Sequence, residues 1–313
     1  MKHNIKITSI LLAMFLFTQF IGLFVLYVDP LKIETEINGT VEEIPNPYLN
    51  WINPPEAETQ SDFLGLFSQL ILAFVLAMVL LFILMKFKIE IFLKIWFFVV
   101  VSIALFLSFL AFEKFTPFTI KLELALGIAG ILAIILAYFK IYRRGFLIHN
   151  FTEFLIYPGI AVVFVPILNV YTIIALLILI SIYDMWAVWH SGIMQKMANY
   201  QINKLNVFSG FFVPYVSKKL RMKIKKMKKS ELKKKKIKVN VAILGGGDVV
   251  FPIITAGIMF KSFGIFSALL VIAGATLGLG CLFFFSEKKK FYPAMPFITA
   301  GIFIGMALSW IFL

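Results

Sequence analysis

Two carboxylates sit where hydrocarbon is expected. Asp184 lies in LLILISIYDMWAVW and Asp248 in VAILGGGDVVFPII, and both segments are otherwise apolar enough to cross a bilayer. An ionisable group at such depth is costly unless it is paired, neutralised or hydrated, which makes it a functional-site candidate. Two of them at one depth suggest a pair. Carboxylates a few ångströms apart in a low dielectric cannot both ionise, so they share a proton and titrate as a unit. The ionised member can take a proton from water while the protonated member polarises a carbonyl. The reaction that fits is amide hydrolysis without a covalent intermediate.

The neighbours of the two aspartates agree with this chemistry. Gly245, Gly246 and Gly247 precede Asp248, and Pro252 follows one turn later. Three consecutive glycines weaken a helix and allow another backbone, or a substrate, to approach closely. Tyr183, beside Asp184, offers a hydroxyl to an interface or a bound peptide. The plainer alternative is that a membrane aspartate only hydrogen-bonds a neighbouring helix, and that glycines serve packing, as the GxxxG pairs Gly274/Gly278 and Gly301/Gly305 do. The matching depth and the glycine triplet favour chemistry. Glu153 is expected at a membrane interface, with no catalytic role.

Other chemistries lack their residues. Cys281 is the single cysteine, so no intrachain disulfide or cysteine-based metal site can form, and it reads as a small core hydrophobe. His3, His149 and His190 are scattered and make no ligand set. No metal and no cofactor is expected.

The elements that must position the aspartates follow from hydropathy. Of the 313 residues 61% are hydrophobic, and mean hydropathy is +0.95, well above the balance of a soluble domain. Apolar runs of membrane-spanning length predict an all-α, polytopic membrane protein with nine spans, near 8–28, 63–85, 95–112, 122–139, 151–168, 171–190, 240–260, 263–285 and 293–313. The first run, preceded by Lys2 and Lys6, is too long for a signal-peptide core and lacks a cleavage site, so it is read as an uncleaved span. Pro166 and Asn169 break the long apolar stretch 151–190, which as one helix would be about twice as long as the hydrocarbon is thick. Lys261-Ser262-Phe263-Gly264 breaks 240–285 in the same way.

Charge predicts the orientation. With the N-terminus in the cytoplasm, 26 of the 30 Lys and Arg fall on the cytoplasmic side of a nine-span chain. The other side holds only Lys32, Lys114, Lys121 and Lys261, and its first loop is acidic. Every loop then obeys the positive-inside rule, with the C-terminus outside. The chain divides into a six-span region 1–190 carrying Asp184, a basic cytoplasmic loop 191–239, and a three-span region 240–313 carrying Asp248. Both aspartates then lie roughly 9–12 Å below the cytoplasmic surface at 1.5 Å per residue, on consecutive antiparallel spans.

Two loops carry further expectations. The exterior loop 29–62 is proline-rich and irregular, with a short hairpin or lid element around 31–44. The loop 191–239 contains KKLRMKIKKMKKSELKKKK, which reads as a juxtamembrane segment that enforces topology and touches anionic lipid headgroups, not as a nucleic-acid site. The apolar stretch Val207–Val216, interrupted by Pro214, is too short to span and is placed in the interface.

At these residues the chain resembles the presenilin and signal peptide peptidase family of intramembrane aspartyl proteases. It is most similar to the archaeal presenilin homologues, being short and without large tails. The family's YD motif appears as Tyr183-Asp184, its GxGD motif as Gly245-Gly246-Gly247-Asp248, and its PAL motif as Pro293-Ala294-Met295. Their order and topology carry the resemblance over essentially the whole chain. Met295 departs from the family's leucine but conserves volume and hydrophobicity. The resemblance implies that Asp184 and Asp248 are a catalytic dyad and that Pro293, Ala294 and Met295 shape the site. Tyr183, Gly245, Gly246 and Gly247 are expected to line the substrate path. It also implies that substrate adds as a β-strand near the start of span seven, where Ile237–Val241 has the alternation and β-branching for it. Substrates would be transmembrane segments of single-span proteins or leftover signal peptides, cut inside a multi-pass membrane protein, of the cell membrane in a prokaryote.

Two other classes compete. Prepilin-type peptidases also use a GxGD aspartate but have fewer spans and no late PAL-like segment. A proton- or ion-coupled transporter could relay protons through Asp184 and Asp248, but the chain shows no internal symmetry to support it. A non-catalytic scaffold leaves the matched depth unexplained.

Overall fold

A membrane-spanning segment must satisfy its own backbone hydrogen bonds, so long apolar runs become helices. The computed structural model describes residues 5–37, 40–55, 57–87, 89–115, 121–143, 145–191, 208–215, 240–286 and 292–312. Among them nine helices are long and apolar enough to cross a membrane. They are α1 (Ile5–Val28), α2 (Gln60–Lys86), α3 (Glu90–Lys114), α4 (Leu122–Tyr142), α5 (Phe146–Phe164), α6 (Val170–Trp186), α7 (Gly246–Phe263), α8 (Ile265–Phe285) and α9 (Met295–Phe312).

The breaks fall where the sequence placed them. A 3₁₀ turn over Val165–Ile167 contains Pro166, and Asn169 then caps α6. Its Oδ1 accepts from the Thr172 N–H while the Thr172 hydroxyl accepts from the Asn169 N–H, a reciprocal capping box. Between α7 and α8 the turn is made by Gly264 at φ +85°, a conformation that excludes most side chains.

Two small antiparallel sheets interrupt the helical pattern. β1 (Lys32–Ile37) pairs with β2 (Thr40–Pro45), the hairpin expected in loop 29–62. β3 (Gly210–Tyr215) pairs with β4 (Asn240–Gly245), with Phe212 opposite Ile243. This second pair corrects one expectation. Span seven starts at Gly246 and not near 240, because the apolar run before the glycines forms a strand. The stretch Val207–Val216, too short to span, is paired β-structure over Gly210–Tyr215; Val207 and Val216 lie outside the described residues. So do Ile237–Val239 of the expected substrate strand and the lysine-rich run 218–236, whereas Asn240 and Val241 open β4.

The helix α7 sits at the centre of the bundle, packed on α1, α5, α6, α8 and α9. Its face of Val249, Ile253, Ile254, Ala256 and Met259 is almost wholly buried. The GxxxG pairs behave as packing devices. A Cβ on Gly274 would lie 2.1 Å from the Gly301 carbonyl oxygen, and one on Gly278 would lie 2.3 Å from that of Phe297, so α8 and α9 touch backbone to backbone. By contrast α2 buries none of its apolar span, and its chief contacts among the described residues are with α3, α6 and the 3₁₀ turn.

One more glycine sets helix spacing. A Cβ on Gly159 of α5 would fall 1.9 Å from the Ala104 carbonyl oxygen of α3. Gly159→Ala therefore forces two buried helices apart, and overpacking of this kind costs about 1–3 kcal/mol. Thermal unfolding in detergent should show a clear drop in midpoint, while Gly127→Ala on α4, where a Cβ meets nothing within 4 Å, should show none.

Candidate active site

Asp248 stands in the first turn of α7, immediately after β4 ends at Gly245. Pro252, four residues on, has no N–H to give the Asp248 carbonyl, so this turn lacks one of its usual bonds. Support comes from outside the helix. The Gln19 amide on α1 donates to the Val249 carbonyl at 3.1 Å, and the Gly246 N–H donates to the Ser209 carbonyl at 3.3 Å, continuing the β3–β4 ladder into the helix.

Asp184 approaches from α6, one turn before that helix widens into a π turn over Ala187–Ser191. Its Oδ2 accepts from the Met295 N–H at 3.1 Å, and the Ala294 N–H is directed at the same carboxylate. Pro293 is buried and immediately precedes these two amides at the start of α9. Ser181, one turn earlier, donates to the Thr299 hydroxyl at 2.9 Å and tightens the α6–α9 contact. The two aspartates lie within electrostatic reach of one another.

The glycine triplet divides by position. A Cβ on Gly245 would stand 3.1 Å from Asp248 Oδ2, and one on Gly246 would stand 2.5 Å from the Ser209 hydroxyl and 2.9 Å from the Tyr157 hydroxyl. Gly247 meets only Phe251, at an ordinary 3.8 Å. Close approach is thus required at Gly246 and beside Asp248 at Gly245, and not at Gly247. Tyr183 turns towards α2: its ring is edge-on to Phe74 at 6.2 Å and near Trp186 at 6.3 Å. Of the expected residues, the structure brings Asp184, Asp248, Gly245, Gly246, Ala294 and Met295 together, with Pro293 behind them and Tyr183 at the margin.

Sequence reasoning missed the polar groups on other helices. Gln19 and Tyr157 are buried against α7; Gln19 Oε1 has no hydrogen-bond partner among the described residues, and the Tyr157 hydroxyl lies close to Glu153 and Ser209. Glu153 is fully buried within the protein, ion-paired to Lys140 and 3.5 Å from His149 Nε2. A glutamine in an apolar helix was the available signal for Gln19. Among the described residues no group of three or more His, Cys, Asp or Glu is placed to hold a metal.

Comparison with known proteins agrees with this architecture. A family profile described as signal-peptide peptidase, presenilin aspartyl protease matches residues 53–313. No curated protein matches the chain. Two solved structures of a presenilin family intramembrane aspartate protease, in C222 and P2 space groups, share the fold at 16% identity. Their TM-scores are 0.59 and 0.58; the first match covers 98% of this chain and 99% of the other, the second 97% of each. With the family match extending over most of its length, the chain belongs to the signal-peptide peptidase and presenilin family of aspartyl proteases and is a multi-pass integral membrane protein.

Proposed function

We propose that the chain hydrolyses peptide bonds within transmembrane segments, using water activated between Asp184 and Asp248. The observation that carries this reading is the approach of the two carboxylates, from α6 and α7, to within electrostatic reach of one another, one of them anchored by the Met295 N–H. In the attack step the ionised carboxylate takes a proton from water, the new C–O bond forms, and the protonated partner gives its proton to the carbonyl oxygen. Collapse of the resulting diol breaks the C–N bond and returns a proton to the leaving amine. With the N-terminus in the cytoplasm, as the loop charges argue, cleavage occurs near the cytoplasmic side.

A helical substrate hides its amides in its own hydrogen bonds, so it must unwind before it is cut. The strand β4 supports an extended docking mode: its Val241 and Ile243 side chains are exposed, and it runs directly into Gly246 and Asp248. The basic segment beyond β3 suits anionic lipid headgroups.

Purified chain in detergent, mixed with a transmembrane peptide, should yield fragments by mass spectrometry. Intact peptide under all conditions, together with proton flux in liposomes, would overturn the reading in favour of transport. The rate should trace a bell against pH. It rises as the first proton leaves the pair and falls as the second leaves, because only the singly protonated pair holds both a base and an acid. A flat profile from acid to neutral would remove the titrating pair from the rate-limiting step.

A further inference from the structure

Two residues of α5, His149 and Asn150, take no part in the reaction above, yet both are committed to β3. Asn150 is buried and turns both arms of its amide to one residue. Its Nδ2 donates to the Phe212 carbonyl at 2.8 Å, and its Oδ1 accepts from the Phe212 N–H at 3.0 Å. This is the bond pair that a neighbouring strand would make. His149 Nε2 donates to the Gly210 carbonyl at 2.8 Å, and its ring stacks on Phe212 with centroids 4.6 Å apart. The next residue in the alternation, Pro214, has no N–H to offer.

Parity shows what these contacts accomplish. In an antiparallel pair, alternate residues turn their backbone groups towards the partner strand and away from it. Gly210, Phe212 and Pro214 face Gly245, Ile243 and Val241 across the pair. Phe212 gives both its groups to Asn150, so these three pairs point away from one another. The Gly246-to-Ser209 bond has the opposite parity and agrees. The outward positions of β3 are therefore closed by His149, Asn150 and a proline. The matching positions of β4, at Val241, Ile243 and Gly245, turn to the opposite edge of the sheet.

We propose that Asn150 and His149 are positioning residues that close the outer edge of β3, so that an extended substrate can add only to β4. An open strand edge accepts any strand that reaches it, and a strand added to β3 would lie on the far side of the sheet from the strand that leads into Asp248. Asn150 and His149 also tie the sheet to α5. That contact fixes the height of β4 relative to Asp248 and hence which substrate bond meets the aspartates. This inference rests on the proteolytic reading and concerns how substrate is aligned, not whether it is cut.

Backbone amide exchange on the full-length Asp248→Asn chain, with and without a transmembrane peptide, tests the edge directly. The expected result is that the peptide slows the amides of Val241 and Ile243 while Phe212 is already slow without it. New protection of Phe212, or none on β4, overturns the proposal. In the active chain, Asn150→Ala loses both hydrogen bonds to Phe212. KM should rise about tenfold or more, and products should appear two residues either side of the main cleavage site, the slip that keeps side chains on the same face. A folded Asn150→Ala chain that cuts one unchanged site with unchanged KM also overturns it; should that variant not fold, the exchange result decides. If the wild-type chain cuts no peptide, it is the proteolytic reading that fails.

Discussion

Asp184→Asn and Asp248→Asn should each lower the rate of peptide cleavage by about 10²- to 10⁴-fold, the scale of acid–base catalysis by a positioned group. Asparagine keeps the volume of aspartate and an oxygen that can accept from the Met295 N–H, which now bonds Asp184. The fold should therefore persist, with a thermal midpoint close to that of the parent. What is lost is the proton. Asparagine can neither take one from water nor give one to a carbonyl, and either loss leaves the pair without one of its two roles. The double variant should be little slower than either single one, because the two groups act as a unit. Mass spectrometry of products at matched protein concentration measures all three. A single variant that keeps a tenth of the parent activity would remove that residue from the chemistry.

The largest effect on stability is expected at Lys140. Its ammonium and the Glu153 carboxylate are both nearly inaccessible, with side-chain exposures of 4% and 0%. Lys140→Met leaves a carboxylate buried without its counter-charge, and removing one partner of such a pair costs about 3–5 kcal/mol. Glu153→Met in the same chain removes the orphaned group and should restore much of the stability, since well-packed apolar replacements of buried pairs are often tolerated. Thermal unfolding of the two single variants and the double one forms a cycle. Additive losses would show that the pair is not coupled. The exposed Lys32–Glu43 pair on the β1–β2 hairpin is the control, where Lys32→Ala should change nothing measurable. Because Glu153 also neighbours His149, the Lys140→Met chain should loosen β3 as well.

Much of the bundle was legible because its cause is local. Each span needs enough apolar residues to cross hydrocarbon and no backbone group left unpaired, so hydropathy alone locates helices. The ends were legible where a residue type dictates them: Pro166 and Asn169 before α6, and Gly264 between α7 and α8. The hairpin in the first long loop was legible from its prolines and alternation. The start of α7 was not. Residues 240–245 are apolar, and an apolar run of that length fits a strand as well as a helix turn. What decided it was pairing with Gly210–Tyr215, a partner distant in sequence.

The same division holds at the site. Asp184 and Asp248 stood out in the sequence because an aspartate in hydrocarbon is energetically conspicuous, and Pro293-Ala294-Met295 stood out by resemblance. The ion pair of Glu153 was not readable because its neighbours in sequence do not include Lys140, one helix earlier. Gln19, Tyr157 and Asn150 were passed over because a lone polar residue in a span has no readable partner until helices pack. The sequence by itself determined the helices, their breaks and the two anomalous carboxylates, since each depends on the cost of placing a given residue in hydrocarbon. Only the tertiary structure decided what those carboxylates and the other buried polar groups meet, and that His149 and Asn150 bond to the outer edge of β3, because both are set by contacts between segments far apart along the chain.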